Sequence, residues 1–349
     1  MKGKRSLSAL LGAALLVSAV LLSVSMARPV EKTGKTIAVF VPGIVSGSPV
    51  YEMLVSGAQK AVDNHSIKDF GPVTLTIIEA GTNQAEWPGK LTALCAEGKY
   101  DLIFSSNPAL PDIIEPLTKQ FPSQHFLVLD AYKDNVSTLA TVQYNQRQQA
   151  FMAGYAAAMA TTSDDLKFSN PQKKIALIAA QEYPVMNKII FPAFVEGAKA
   201  FDTEVTVDFR LVGNWYDAAK GNELARALFN DGVDVILPIA GGASQGVIAA
   251  AKDLGFYISW FDSDGYTKAP GNVISSAMIM QEKMAEKILS DYIENKVEFG
   301  KAQFAGMEDG YVAFTAHEPL TNDPERTASL EQMYTSILEK VLVLESPVL

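Results

Sequence analysis

From residue 36 onward, short apolar runs alternate with longer stretches in which hydrophobic residues recur every three or four positions. The runs 36–42 (TIAVFVP), 73–80, 101–106, 125–131 and 138–145 read as strands. Runs 173–180, 204–212, 233–240, 256–264 and 272–279 repeat the pattern. Val, Ile and Leu nearly fill most of them instead of alternating with polar residues, as expected of parallel strands covered on both faces. Helical periodicity predicts helices over 50–64, 85–98 and 148–160, after Pro108, and starting near Val185, Trp215 and Ala243. At Trp215 the preceding Asn214 is placed to cap the helix. Two further helices, over 281–295 and 325–340, follow the last strand.

Strands alternating with helices predict an α/β chain made of two doubly wound lobes with a cleft between them. The expected division places 36–145 plus 270–298 in lobe 1 and 146–269 plus 299–345 in lobe 2. Crossings between the lobes are expected near 144–149, 265–272 and 297–303, since no Gly- or Ser-rich linker separates the halves. The chain's 349 residues, 48% hydrophobic, suffice for two full cores.

The N-terminus lies outside this pattern. Lys2, Lys4 and Arg5 precede the apolar run LSALLGAALLVSAVLLSV, and Ser25 and Ala27 stand at the small-residue positions of a cleavage site. Residues 1–27 therefore read as an export signal, with a retained membrane anchor as the alternative. No cysteine at that junction offers a lipid anchor, and the place of action is the periplasm or the outer face of the inner membrane. Cys95, the single cysteine, sits at a helical apolar position and reads as core. A net charge of -10 without a basic cluster beyond the N-terminus excludes nucleic acid as a partner.

Open parallel sheets bind ligands beyond the carboxyl ends of their strands. Those ends deliver the loop holding Ser48 and Tyr51, then Asn107, Asp130, Tyr144 and Asn145. The second half delivers Tyr183, Trp215, the glycine turn with Gly242, and Asp262 followed by Asp264. Aromatic rings, amides and a few acids suit a flat ligand that stacks and presents polar edges. The alternative is that the rings pack between the lobes and the acids cap helices. AGGASQG (240–246) matches neither dinucleotide nor P-loop spacing, so it reads as a tight turn exposing backbone donors. His65, His125 and His317 have no partners at metal or triad spacing, and no GxSxG elbow occurs. A catalytic role and a metal site find no support.

The segments FPSQHFLVLDA, YNQRQQAFMAGYAAA, VDVILPIAGGASQGVI and WFDSDGY resemble the basic membrane protein family, solute-binding components of ABC importers that include purine-nucleoside receptors. The resemblance spans roughly residues 36–315 and implies a type I periplasmic binding architecture. It implies base stacking by Trp215, ribose contacts by Asp262, and site roles for Asp130, Asn145 and Gly242. Two departures stand out: Val50 and Tyr51 occupy the places of the family's Phe-Asn pair, and Ile279 or Met280 replaces a basic residue. With SGSPVYEML, AEWPGKL and GNWYDAAKG, these look like the riboflavin-binding branch. The expectation is a monomeric solute-binding protein that clasps riboflavin between Trp215 and Tyr51, needs no cofactor, and delivers its ligand to an ABC permease and ATPase. A purine nucleoside is the alternative ligand, and a sensor for a membrane kinase the alternative role.

Overall fold

The computed structural model describes residues 34–65 and 67–349. Among them, six strands form a first sheet: β1 (Lys35–Val41), β2 (Val73–Glu79), β3 (Leu102–Ser106), β4 (His125–Leu129), β5 (Leu139–Tyr144) and β11 (Ala302–Ala305). The second sheet holds β6 (Lys174–Ala179), β7 (Thr206–Leu211), β8 (Val233–Ile239), β9 (Tyr257–Asp262), β10 (Val273–Ile279) and β12 (Val312–Ala316). Their orders, β11-β5-β4-β3-β1-β2 and β12-β10-β9-β8-β6-β7, match position by position. Every pairing is parallel except β10 with β12.

Among the described residues ten α-helices connect and cover the sheets: α1 (Pro49–Asn64), α2 (Ile67–Phe70), α3 (Trp87–Ala96), α4 (Leu110–Gln120), α5 (Gln146–Thr161), α6 (Phe191–Phe201), α7 (Ala218–Asn230), α8 (Ser244–Leu254), α9 (Gln281–Ile293) and α10 (Pro324–Leu338). The apolar runs are explained by what each strand face meets. On β1, Ile37, Val39 and Val41 pack with Leu54, Ala58 and Ala61 of α1 and with α9. The alternate residues Ala38 and Phe40 pack with Trp87 and Leu91 of α3 and with Ile114 of α4. On β6, Ile175, Leu177 and Ala179 face α5 and α6, while Ala176 and Ile178 face α7 and α8. Both side-chain directions of a central strand are thus buried, as the two-residue period requires. Cys95 is buried in the α3 layer.

The lobes differ from the expected division in two places. The first crossing falls at Asn145, between β5 and α5, where the sequence places it. β10, expected in lobe 1, completes the second sheet beside β9, so the chain returns only at Met280, before α9 packs on α1. β11, expected in lobe 2, pairs with β5, and the last crossing lies in 306–311, before β12. β10 has an apolar register with β9 that residues 270–279 cannot leave without exposing Val273, Ile274 and Ala277, all fully buried. The chain after α10 returns to the hinge, where Asn145 Nδ2 donates to the Leu344 carbonyl at 2.8 Å. No helix among the described residues is long and apolar enough to cross a membrane. The export segment 1–27 lies outside the described residues.

Candidate functional site

In each sheet the strand order reverses direction beside its first strand, between β1 and β3 and between β6 and β8. Such switch points open a crevice at the carboxyl ends. Tyr51 follows β1 and Asn107 follows β3, while Tyr183 follows β6 and the glycine turn follows β8. The two crevices face each other, and residues from both meet there.

Two acids form the centre. Asp130 directly follows β4 and Asp262 ends β9, equivalent places in the two sheets. Both take left-handed backbone angles, φ 54° and 68°, a conformation that aspartate adopts more readily than most residues. Gln146 Nε2 donates to Asp130 Oδ1 at 3.0 Å, and Gln149 Nε2 donates to Asp262 Oδ1 at 3.0 Å. Burial pushes the Asp262 carboxyl up to about 6, opposed by the Gln149 bond. Burial raises Asp130 well above the usual carboxylate range, and the facing charge of Asp262 raises it further. The first turn of α5 lies at both acids, so its positive dipole end favours their ionised forms.

Aromatic rings surround the acids. Tyr51 is fixed by its hydroxyl, which donates to the Pro42 carbonyl at 3.1 Å and accepts from Asn107 Nδ2 at 3.3 Å. Asn107 Oδ1 is used locally, accepting from the Ala109 amide at 2.9 Å. Burial lifts the Tyr183 hydroxyl well above its ordinary value, with both acids adding to the shift. Tyr144 is fully buried and donates to Gln281 Oε1 at 2.6 Å, and both acids act on its hydroxyl electrostatically.

The pair Trp215 and Tyr216 precedes its helix instead of opening it. Asn214 Oδ1 accepts from the Tyr216 and Asp217 amides at 2.9 and 2.8 Å, and Asp217 is the residue that caps α7 through Lys220 N. This tight turn sends the two rings different ways. Trp215 is half-buried against the second lobe, 6.2 Å from Tyr183 between ring centroids, and covers Gly241. Tyr216 is 42% exposed and reaches the first lobe. A Cβ on Gly43 would stand 2.8 Å from the Tyr51 ring and 3.3 Å from Tyr216 Oη, so only glycine fits between them. Tyr216, absent from the expected set, is thus the second-lobe ring that meets Tyr51.

Three other expected residues have contacts within the chain. Asn145 is buried, caps α5 through Gln148 N at 3.3 Å, and spends its amide donor on Leu344. Ser48 begins α1 with its carbonyl, accepting from Tyr51 N and Glu52 N at 2.9 Å. Gly242 lies in ordinary contact with Trp215 and Tyr216, and the need for glycine falls on Gly241, which has φ +56°. Asp264 holds the next turn through Tyr266 N at 2.9 Å and lies 3.5 Å from His317. His317 Nε2 also meets Ser276 Oγ at 2.8 Å. Acid and hydroxyl share one ring nitrogen, an arrangement that cannot relay a proton from serine to acid as a triad does. Among the described residues no cluster of metal-ligating side chains occurs.

Sequence reasoning missed Gln146 and Gln149, and of the adjacent rings it placed Trp215 and not Tyr216 in the site. The first two sit in a helix that is buried almost all round, so no polar face marks them. Tyr216 was visible as one of two adjacent rings, and only the turn decides which of them crosses the gap.

Two matched α/β lobes joined at a hinge, with a ring-lined acidic cleft at both switch points, define a two-lobed binding protein of the type I periplasmic fold. A solute-binding protein of an ABC transporter system from Aeropyrum pernix K1 superimposes with a TM-score of 0.76 over 90% of this chain and 94% of that one, at 16% identity. The chain belongs to the Bmp family, the PnrA-like substrate-binding proteins of ABC transporters, whose pattern matches residues 34–346. Basic membrane protein D of Borreliella burgdorferi strain JD1 is 26% identical over 257 residues, 72% of each chain. The ABC transporter nucleoside-binding protein BmpA of Lactococcus lactis is 30% identical over 155 residues, 44% of this chain and 41% of that one. The family consists of substrate-binding proteins, not enzymes.

Proposed function

We propose that the cleft takes a neutral solute made of a flat ring system and a hydroxylated chain, and that this solute is riboflavin. One observation carries the reading: a carboxylate from each lobe converges among Tyr51, Tyr183, Trp215 and Tyr216. Carboxylates without a facing cation accept hydroxyl hydrogens and repel anions. Rings from both lobes suit a plate larger than a single base, and each stacked ring contributes about 1 kcal/mol beyond area burial. Closure of the lobes buries the solute, and the closed form of the monomer docks the permease and its ATPase. A purine nucleoside is the second reading, favoured by the function that the Lactococcus relative's name states.

Fluorescence titration of stripped, refolded protein separates the two. Riboflavin emission is expected to be quenched as it binds, with guanosine and adenosine binding much more weakly. Tight guanosine binding without riboflavin binding would transfer the assignment to the nucleoside. Tyr216→Ala and Trp215→Ala are each expected to weaken riboflavin binding by roughly 1–3 kcal/mol. Trp215 also covers Gly241, so its loss should lower the melting temperature as well, whereas half-exposed Tyr216 should leave it unchanged. Unaltered dissociation constants in both variants would remove the rings from the site.

A further inference from the structure

We propose that Gln146 and Gln149 are positioning residues of the solute site: the first turn of α5, where the chain passes from one lobe to the other, holds one carboxylate of each lobe in place for a single solute. The inference rests on the two-carboxylate reading of the cleft. Residues three apart on a helix share one face, and here each meets the acid of a different lobe at 3.0 Å. Both glutamines are almost fully buried, 5% and 0% exposed, which demands defined partners.

The orientation of Gln149 is fixed by chemistry. Its Nε2 donates to Asp262 Oδ1 and to the Ala277 carbonyl, both at 3.0 Å, while its Oε1 has no partner among the described residues. Turning the amide over would set oxygen against two acceptors. A neutral amide also differs from an arginine or lysine in what it leaves behind. It satisfies Oδ1 without cancelling the charge, and the second carboxylate oxygen keeps its capacity for a solute hydroxyl. The titratable groups facing the acids are each other and the hydroxyls of Tyr51, Tyr144 and Tyr183, all three held above their ordinary values and so neutral.

A donor that favours the ionised form lowers a carboxyl's pKa, so removing it raises that pKa. Gln149→Met keeps the side chain's length and removes the donor. In the ligand-free full chain, carbon-13 carboxyl NMR should show Asp262 titrating about one pH unit higher in Q149M, with Asp130 moved less. Gln146→Met should reverse the pattern. Riboflavin affinity should rise with pH through the same carboxyl titration, because the hydroxyls of the solute favour the ionised acid, and its midpoint should follow the NMR shift. Unchanged carboxyl midpoints in a folded Q149M or Q146M overturn the proposal, and if Q149M does not fold, Q146M decides. Wild-type protein that ignores riboflavin sinks the ligand assignment alone, since the ligand-free titration still tests the glutamines.

Discussion

Asp262→Asn is expected to weaken riboflavin binding roughly 10- to 150-fold near neutral pH while raising the melting temperature of the ligand-free protein. The loss follows from charge-assisted hydrogen bonds, worth about 1.5–3 kcal/mol each. The gain follows from linkage. Asp262 goes from an ordinary 3.8 to about 6 on folding, because burial penalises the charged form. The folded chain holds this proton more tightly, so stability falls as pH rises from about 4 to about 6 and stays at the lower value above that window. Asparagine removes the penalty, on the order of 1–3 kcal/mol after residual solvent contact is allowed for, or a few degrees. It also accepts the left-handed backbone at position 262, so no strain offsets the gain. Melting curves of both proteins at about pH 4 and pH 7.5, with calorimetric titration of riboflavin, check the claim. A stabilisation of equal size at both pH values, or an unchanged dissociation constant, would count against a buried functional carboxylate.

Such a trade is expected of a binding site, where a costly group is kept because the ligand repays it. It also explains which parts of the molecule the sequence reveals. Ten strands announce themselves, the central ones most clearly, because both faces of a central strand are covered, which fills it with Val, Ile and Leu. β11 and β12 do not, being four and five residues long at sheet edges with half-exposed side chains. The lobe assignment of β10 depends on which neighbour it pairs with, and β10 is apolar enough for either sheet. Asp130 and Asp262 stand out in the sequence because they fall at strand ends, where such folds place candidate ligand contacts. Their glutamine partners do not, since a polar residue inside a helix rich in alanine shows neither face nor partner until the helix is placed. Asn145 is ambiguous for a related reason: an amide at a strand end serves equally as a ligand contact and as a helix cap, and here its amide donor goes to the returning chain.

The placement of α5 itself depends on two glycines. A Cβ on Gly154 would stand 2.0 Å from the Phe194 carbonyl oxygen of α6, and a Cβ on Gly197 of α6 would stand 1.9 Å from the Phe151 carbonyl oxygen of α5. The helices thus interlock backbone to backbone, and in each case the obstacle is main chain that cannot rotate away. Gly154→Ala must push α6 outward or tilt α5, at a cost of about 3 kcal/mol or more, the upper range for overpacking. Gly89→Ala in α3 is the control, since a Cβ there meets nothing within 4 Å. It should stabilise by up to roughly 1 kcal/mol through helix propensity. Denaturant midpoints of the two variants should therefore move in opposite directions. Tilting α5 also displaces Gln146 and Gln149, so the folded fraction of Gly154→Ala should bind riboflavin more weakly than wild type, whereas Gly89→Ala should bind it equally well. A Gly154→Ala protein with wild-type stability would show that the two helices can part freely, and the hinge turn would then lack the rigid support on which its hold over both acids depends.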